Sequence, residues 1–301
     1  MNTIREAEPR DAAAIADVQA AADDGIHTAA GWLHDWRSAP ERGRALSLVA
    51  EADGGVVGYA RAGLDWGAAA ATEGHVWIGV VPSYRGRGAG TALYERALVH
   101  VRAVGASRAL SYSREDEPGP AWAERRGWRQ TRAAIVVGVD PRRVAPHPGV
   151  PGFRAVPLAS LADRLEDVCE LDLLAMQDEP SSVEPQRIPF EEWLAMQWNA
   201  PNGDHDGGTA VLEGDRLVAL AFFDVDLARG RAANGFAATH PDYRGRGLAT
   251  LAKTRSLRWA AAHGIRRVTT ENDETNAPMR AVNRRLGYEP VGRRLELELR
   301  L

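Results

Sequence analysis

The strongest constraint on the fold of this chain is a glycine-rich pentapeptide that occurs twice. Residues 84–88 read YRGRG, and the same five residues recur at 243–247, which is 159 positions later. A second pair of matching segments, RRGW at 125–128 and RLGY at 285–288, is separated by 160 positions. Two matches at nearly one offset predict an internal duplication, with one half of the chain built around each glycine motif.

The second glycine motif lies where a predicted strand gives way to a predicted helix. Residues 236–239 are apolar or compatible with a strand, and apolar residues recur at helical spacing from Leu248 onward. The first amides of a helix have no intrahelical partner and carry partial positive charge. The motif's two glycines let a ligand approach these amides, and its two arginines add full charge. A single copy would favour a simple helix cap, but the repeat predicts a phosphate or pyrophosphate site.

The length of 301 residues is typical of two domains that each bury a core of their own. Residues 139–152 contain four prolines and are typical of a stiff linker. The predicted limits are an N-terminal domain at 1–140, a linker at 141–152 and a C-terminal domain at 153–301. Each half shows the same order of predicted strands, hairpin and helices. This order predicts an α/β fold with a mixed sheet (α+β) in both halves.

Composition excludes several classes of protein. An apolar content of 45%, a charged content of 26% and a net charge of -4 are typical of a globular protein. Arginine pairs are dispersed among acids, so we expect no nucleic-acid partner. Cys169 is the only cysteine, which argues against a disulfide framework or a cysteine-rich metal site and favours a cytoplasmic protein. No run approaches the roughly 18 apolar residues of a membrane span, and residues 1–14 lack the layout of a signal peptide. The single lysine, Lys253, is interpreted as an effect of genome composition.

Two motifs resemble those of the GNAT N-acetyltransferase superfamily. Residues 85–90 and 244–249 fit the pattern R-x-x-G-x-G/A, which is similar to the superfamily's acetyl-CoA pyrophosphate loop. Residues 276–288 resemble its closing segment. The resemblance covers most of the chain. It implies two tandem GNAT acyltransferase domains, similar in layout to two-domain members such as mycothiol synthase, although nothing in the sequence selects that substrate.

The resemblance implies that acetyl-CoA (coenzyme A) is the cofactor. The strand backbone before each motif would pair with the pantetheine arm, the motif amides would hold the pyrophosphate, and an asparagine of the last helix would meet the cofactor. In the second half these residues are Ala237, Ala238, Thr239, Arg244, Gly245, Arg246, Gly247, Leu248, Ala249, Thr250 and Asn276. In the first half they are Ile78, Gly79, Val80, Arg85, Gly86, Arg87, Gly88, Ala89, Gly90 and Thr91.

The resemblance also implies where catalytic groups would lie. A tyrosine seven positions after the asparagine often protonates the departing thiolate in the superfamily. Asn283 occupies that position in the second half and Ala123 in the first, so neither half has the usual acid. We expect Asn283 to hydrogen-bond the thiolate while water supplies the proton. In the first half Asp116 replaces Asn276.

An acceptor amine must lose a proton to attack a thioester, so a base is needed. Glu271, at the end of a strand and five residues before Asn276, occupies a position that superfamily members use for this purpose. Asp224 and Asp226 are the alternatives in the second half. The first half offers Glu73, His75 and Ser111.

The leading hypothesis is therefore an acetyl-CoA-dependent N-acetyltransferase. It would transfer acetyl by direct attack of a primary amine, carried by a small molecule or a peptide, with catalysis in the second half and a first half that is competent to bind the cofactor. An alternative is a non-enzymatic acyl-CoA-binding or sensing protein, because the tyrosine is missing. Catalysis in the first half is disfavoured because Asp116 would place a carboxylate near cofactor phosphates. The acceptor, the general acid and the oligomeric state stay open.

Overall fold

The computed structural model describes residues 3–23 and 25–301. The chain forms two compact units. Unit 1 contains the residues up to Ala134 together with Ser181–Gln186 and Gly292–Leu301. Unit 2 contains Ile135–Pro180 and Arg187–Val291. The predicted mixed α/β architecture is confirmed in both.

Unit 1 is a mixed sheet with four helices. Its elements are β1 (Thr3–Glu6), α1 (Ala12–Ala20), α2 (Ala29–Ser38), β2 (Leu46–Ala52), β3 (Gly55–Leu64), β4 (Glu73–Val80), α3 (Ala89–Ala103), β5 (Arg108–Arg114), α4 (Gly119–Glu124) and the start of β6 (Arg129–Val139). The strand order is β1-β2-β3-β4-β5, followed by β12 (Glu289–Arg300). The predicted β2–β3 hairpin is present, and its turn has positive φ at Asp53 and Gly54, which matches the right-handed twist of the strands.

Unit 2 repeats this plan. Its elements are β7 (Arg154–Pro157), α5 (Leu165–Met176), α6 (Phe190–Trp193) with a π-helical turn at Leu194–Trp198, β8 (Thr209–Glu213), β9 (Arg216–Asp226), β10 (Arg231–Thr239), α7 (Leu248–Ala262), β11 (Arg267–Asp273) and α8 (Ala277–Arg285). The strand order is β7-β8-β9-β10-β11, with β6 beside β11. No helix in the described ranges is both long and apolar enough to cross a membrane.

The parallel strand pair of each unit separates soon after it begins. In unit 1, β4 and β5 pair only from Glu73 and Arg108 to His75 and Leu110. In unit 2, β10 and β11 pair only from Arg231 and Arg267 to Ala233 and Thr269. Beyond these three pairs the strands diverge, so each unit has a cleft at the carboxyl ends of its parallel strands.

A bulge distinguishes the second unit from the first. The register of β10 against β9 shifts between Ala233 and Phe236, whereas β4 pairs with β3 in one continuous register. A bulge bends the strand that carries it and leaves part of its backbone without a ladder partner. Unit 2 therefore combines a bulge with the divergence of its parallel strands.

The compact units differ from the predicted domain limits of 1–140, 141–152 and 153–301. Arg294–Arg300 of β12 pair with β5, and Leu295 and Leu297 are buried in the core of unit 1. The last ten residues thus belong to unit 1. Val144, from the predicted linker, is buried in the core of unit 2, because an apolar side chain gains free energy by leaving water.

A core substitution near the C-terminus tests the assignment of β12 to unit 1. Leu297→Ala should destabilise unit 1 by about 2–5 kcal/mol and should speed amide hydrogen exchange in α3. Leu257→Ala, on the buried face of α7, is the matched control and should instead speed exchange in α7. Faster exchange in α7 alone after Leu297→Ala would contradict the assignment of β12 to unit 1.

Candidate functional site

The glycine turn of unit 2 has an open backbone surface. Gly245 and Gly247 have φ values of +76 and +82, and no described atom lies within 4 Å of where a Cβ would stand. This left-handed conformation is costly for other residues. In the turn of unit 1, Gly86 and Gly88 have φ values of +75 and +90, and no described atom lies within 4 Å of where a Cβ at Gly86 would stand. Both turns can therefore let a ligand approach the main chain closely.

Helix α7 begins at this turn without a side-chain cap. Gly247 is its N-cap, and no side-chain cap accepts from its first amides. The carbonyl of Gly247 accepts from Leu251 N at 3.0 Å, which is the first helical bond. The amides of the preceding three residues have no helical acceptor, and these residues, Leu248, Ala249 and Thr250, line a cavity. The predicted anion site thus has the backbone donors that it needs.

The motif's arginines hold the turn in shape. Arg244 Nε donates to Thr239 O at 3.2 Å, and Arg244 also forms an ion pair with Asp178. The guanidinium of Arg246 lies 4.9 Å from the centre of the Tyr243 ring. Unit 1 repeats both contacts: Arg85 Nε donates to Val80 O at 3.1 Å, and Arg87 lies 4.9 Å from the Tyr84 ring. The repeated YRGRG sequence is therefore also a structural unit.

A cavity of about 500 Å³ extends from this turn to the divergence of β10 and β11. Its wall includes most of the residues predicted in the second half: Ala237, Thr239, Arg244, Gly245, Gly247, Leu248, Ala249, Thr250, Glu271 and Asn276. Ala238 is instead buried in the core, because side chains alternate along a strand. The cavity brings the predicted anion site and the predicted base into one space.

The bulge in β10 is fixed by two hydrogen bonds. Asn234 Nδ2 donates to Phe222 O at 2.8 Å, and Thr270 Oγ1 donates to Asn234 O at 2.9 Å. Asn234, Gly235 and Thr270 all line the cavity. The sequence analysis missed these residues, although Asn-Gly within a strand pattern is a signal for a bulge.

The predicted bases differ in their surroundings. Glu271 lies on β11, is exposed, and lines the cavity. Asp224 Oδ2 lies 3.0 Å from where a Cβ at Gly235 would stand, so it flanks the bulge. Asp226 is buried and forms an ion pair with Arg229 at 3.0 Å. The negative charge of Asp226 is therefore compensated by Arg229, which is a structural role.

The two predicted asparagines play different parts. Asn276 caps α8, because its Oδ1 accepts from Met279 N at 3.2 Å, and it lines the cavity. Asn283 is 2% exposed, and its Nδ2 donates to Asn272 Oδ1 at 2.5 Å. Asn272 lines the cavity. Asn283 thus stands behind Asn272 and orients it.

The Acetyltransferase (GNAT) family model matches residues 13–128 and 165–288. The chain belongs to the GNAT acetyltransferase family. The two matches confirm the predicted tandem layout of GNAT domains. No curated protein sequence matches the chain significantly.

Two solved GNAT structures resemble the whole chain. A tandem GNAT protein from the clavulanic acid biosynthesis pathway is 23% identical, with coverage of 99% of this chain and 98% of that one, and a TM-score of 0.74. A GCN5-related N-acetyltransferase from Sphaerobacter thermophilus is 22% identical, with coverage of 99% and 95% and a TM-score of 0.70. At these identities the likeness shows the tandem GNAT fold.

The corresponding cleft in the first GNAT unit is built from other side chains. Thr91 and Trp122 stand at the positions of Thr250 and Val282, which line the cavity in unit 2. The guanidinium of Arg126 stacks 3.8 Å from the Trp122 ring and donates to Thr91 Oγ1 at 3.2 Å. A bulky aromatic and a guanidinium therefore lie over the helix start in unit 1.

The candidate catalytic residues of the first unit are engaged in other contacts. Glu73 forms an ion pair with Arg108 at 2.5 Å, and Asp116 is exposed and pairs with Arg114 at 2.9 Å. Burial lowers the pKa of His75 to about 4, which makes the imidazole a weak base. Ser111 is half-buried on β5. In the described ranges 3–23 and 25–301, no cluster of histidine, cysteine and acidic residues could hold a metal ion.

Lys253 is the functional candidate that the sequence analysis missed. It is 2% exposed, lines the cavity, and has its Nζ 5.2 Å from the centre of the Tyr288 ring. Burial lowers the pKa of its amine to about 7. Two signals were available: Lys253 is four residues before buried Leu257 on one helix face, and it is the only lysine among 37 lysine and arginine residues.

The burial of Lys253 predicts how the free energy of unfolding changes with pH. Because the folded-state pKa of about 7 is below the ordinary value of 10.5, the unfolded chain binds one more proton between these values. The free energy of unfolding should therefore rise with pH in this window by about 1.4 kcal/mol per unit. The free energy of unfolding of the wild type and of Lys253→Met is measured by denaturant unfolding across pH. The difference between the two proteins should change with this slope, and the Met variant should be more stable near neutral pH. A difference that does not change with pH would contradict it.

Proposed function

We propose that unit 2 catalyses transfer of an acetyl group from acetyl-CoA to a primary amine on a small-molecule or peptide acceptor. The observation that carries this proposal is the cavity that joins the open glycine turn to the divergence of β10 and β11. Membership of the GNAT family supports acyl transfer in general. The donor, the amine acceptor and the choice of unit are the proposed part.

The residues of unit 2 fit acetyl-CoA in three respects. The uncapped amides of Leu248 to Thr250 provide donors for a pyrophosphate, and the positive φ of Gly245 and Gly247 keeps space above them open. The backbone of Ala237 to Thr239 provides a strand that can pair with the amides of the pantetheine arm. Asn276 lies on the same wall. We propose the matching residues of unit 1, Ile78 to Val80 and Arg85 to Thr91, as a second site that is weaker because Arg126 and Trp122 lie over Thr91.

Acetyl-CoA would supply a thioester whose carbonyl carbon accepts an amine. We propose that Glu271 takes the proton of the acceptor ammonium, directly or through one water, because it lines the cavity and is exposed to solvent. Asn283 would hold Asn272 toward the reacting groups. Direct attack is favoured because the thiol of Cys169 is buried in α5, where burial raises its pKa to about 11. A thiol in that state is a poor nucleophile.

A matched pair of glycine variants tests where the donor binds. Gly247→Glu places bulk and negative charge where a pyrophosphate must approach the amides, so it should abolish tight binding of acetyl-CoA in a calorimetric titration. Gly88→Glu adds the same residue at the equivalent turn of unit 1, with similar backbone strain, and should leave the tighter binding and the turnover intact.

The opposite pattern would place the main site in unit 1. A broad panel of primary amines tests the alternative function. If the wild type binds acetyl-CoA but releases no CoA with any of these amines, the acyl-CoA-sensing alternative is favoured.

Replacement of Glu271 tests the proposed base. Glu271→Gln keeps the shape and removes the basicity, so kcat should fall by roughly two to four orders of magnitude, while the affinity for acetyl-CoA stays unchanged. The loss should shrink as pH rises, because more of the acceptor is then already free amine. Glu274→Gln, at a nearby exposed residue outside the cavity wall, should have no effect. If Glu271→Gln keeps wild-type turnover and Asp224→Asn loses it, Asp224 is the base.

A further inference from the structure

Resting on the proposed function, we infer that the ammonium group of Lys253 pairs with the CoA thiolate as it departs and gives it a proton. The carbon–nitrogen bond to the acceptor forms, the carbon–sulfur bond breaks, and the electron pair stays on sulfur. The proton then moves from Lys253 Nζ to sulfur, and solvent returns a proton to the amine. The acceptor nitrogen loses two protons through Glu271 to solvent, one from the ammonium before attack and one from the adduct after it. The sum from an ammonium and acetyl-CoA is therefore an amide, a thiol and one released proton.

The residue type supports this role. Lys253 is the only lysine of the chain, and all the other residues among its 37 lysines and arginines are arginines. Where only charge or a surface hydrogen bond is needed, arginine serves as well. A guanidinium stays protonated at any ordinary pH, whereas an amine exchanges its proton when its surroundings change. The chain thus carries its one lysine at the wall of the cavity.

The duplication supplies an internal comparison. At the positions equivalent to Lys253 and Tyr288, unit 1 has Tyr94 and Trp128, and Trp128 Nε1 donates to Tyr94 OH at 3.3 Å. Both of these rings are buried and they satisfy each other. In unit 2 the pair is an amine over a ring, and the buried Tyr288 hydroxyl has no hydrogen-bond partner in the described part of the chain. Unit 1 thus has an aromatic pair joined by a hydrogen bond where unit 2 has an amine and a phenol whose hydroxyl is left unused.

The depth of Lys253 suits the thioester end of the donor. Lys253 lies six residues after Gly247, which is about 9 Å along α7. The strand from Thr239 back to the bulge at Asn234 is about 16 Å long. Because β10 and β11 are parallel, the intervening helix runs back alongside β10. The Cα of Lys253 therefore lies at a level between the phosphate turn and the bulge, and its side chain lines the cavity beside the path proposed for the pantetheine arm.

At the depth of Lys253 the cavity wall offers an anion a cation that no neighbouring acid neutralises. The pKa of Lys253 is lowered by burial, with no contribution from a neighbouring acid. Burial raises the pKa of Tyr288, so its phenol is neutral. The other charged residues of the cavity wall are Asp178, Glu179, Arg244, Glu271 and Arg285. An ammonium without an acidic partner gains most from a thiolate beside it, and each then stabilises the charge of the other.

Titration of the thiol of bound CoA tests the inference without an acceptor. The complex of the protein with free CoA is followed by thiolate absorbance across pH. In the wild type the thiol should titrate at least one pH unit lower than in Lys253→Met, which corresponds to about tenfold more thiolate at neutral pH. Lys253→Arg should keep the lowered titration, because it keeps the charge, but it should not restore turnover, because it cannot give up the proton.

The kinetic readout separates this role from a structural one. On an accepted amine, Lys253→Met should lower kcat by roughly two to four orders of magnitude with little change in KM for acetyl-CoA, although it should not destabilise the fold. Equal thiol titration in the wild type and Lys253→Met would overturn the inference while leaving acetyl transfer intact. Acetylation of Lys253 itself on incubation with acetyl-CoA, visible in the mass of the peptide with the only lysine, would also overturn it. Failure of the wild type to bind CoA would overturn the proposed function and this inference together.

Discussion

The separation of β10 from β11 after three residue pairs is the constraint on which the site depends. Parallel strands that stayed paired would satisfy each other's amides and leave no room between them. The bulge at Asn234 and Gly235 keeps the backbone of β10 out of register with β9, and Thr270 ties that bulge to β11 across the gap. Two hydrogen bonds from the side chains of Asn234 and Thr270 to backbone carbonyls therefore hold the bulge in place beside the cavity.

The features that could be predicted well from the sequence are features of main-chain conformation. The repeated YRGRG segment identified both glycine turns because positive φ and an uncapped helix start need glycine at fixed positions. The buried residues Leu93, Ala97 and Val101 of α3 recur every four positions, which is the periodicity of one helix face. The domain limits were harder, because pairing of the last strand with β5 joins residues that are 180 or more positions apart, and local patterns contain no information about such a partner. Asn234 was missed because it precedes the segment that was predicted as a strand, and Lys253 because its presence was attributed to genome composition.

The two units show how a duplicated fold can keep its shape while its sites diverge. The turn geometry, the arginine contacts and the three-pair parallel register are the same in both. Differences occur at the cleft wall, with Trp122 for Val282 and Tyr94 for Lys253, and just behind it, with Ala123 for Asn283. Tyr94 and Trp122 of unit 1 contact each other, whereas Asn283 Oδ1 and Tyr288 OH of unit 2 are buried without a hydrogen-bond partner in the described part of the chain. Unsatisfied polar groups in a buried wall cost stability, so their retention points to use by a ligand.

Lys253 is the clearest case of this cost. A buried amine whose pKa falls to about 7 lowers the stability of the folded chain at neutral pH relative to an apolar side chain of the same length. Its cation–π contact with Tyr288 offsets only part of this cost, since such contacts contribute about 2 kcal/mol when desolvated. On the role that we propose, this cost is retained because the proton of Lys253 serves the reaction. The same low-dielectric surroundings that penalise the isolated ammonium strengthen its attraction to an anion that forms beside it, so the cost to the empty protein and the benefit to a departing thiolate have one physical cause.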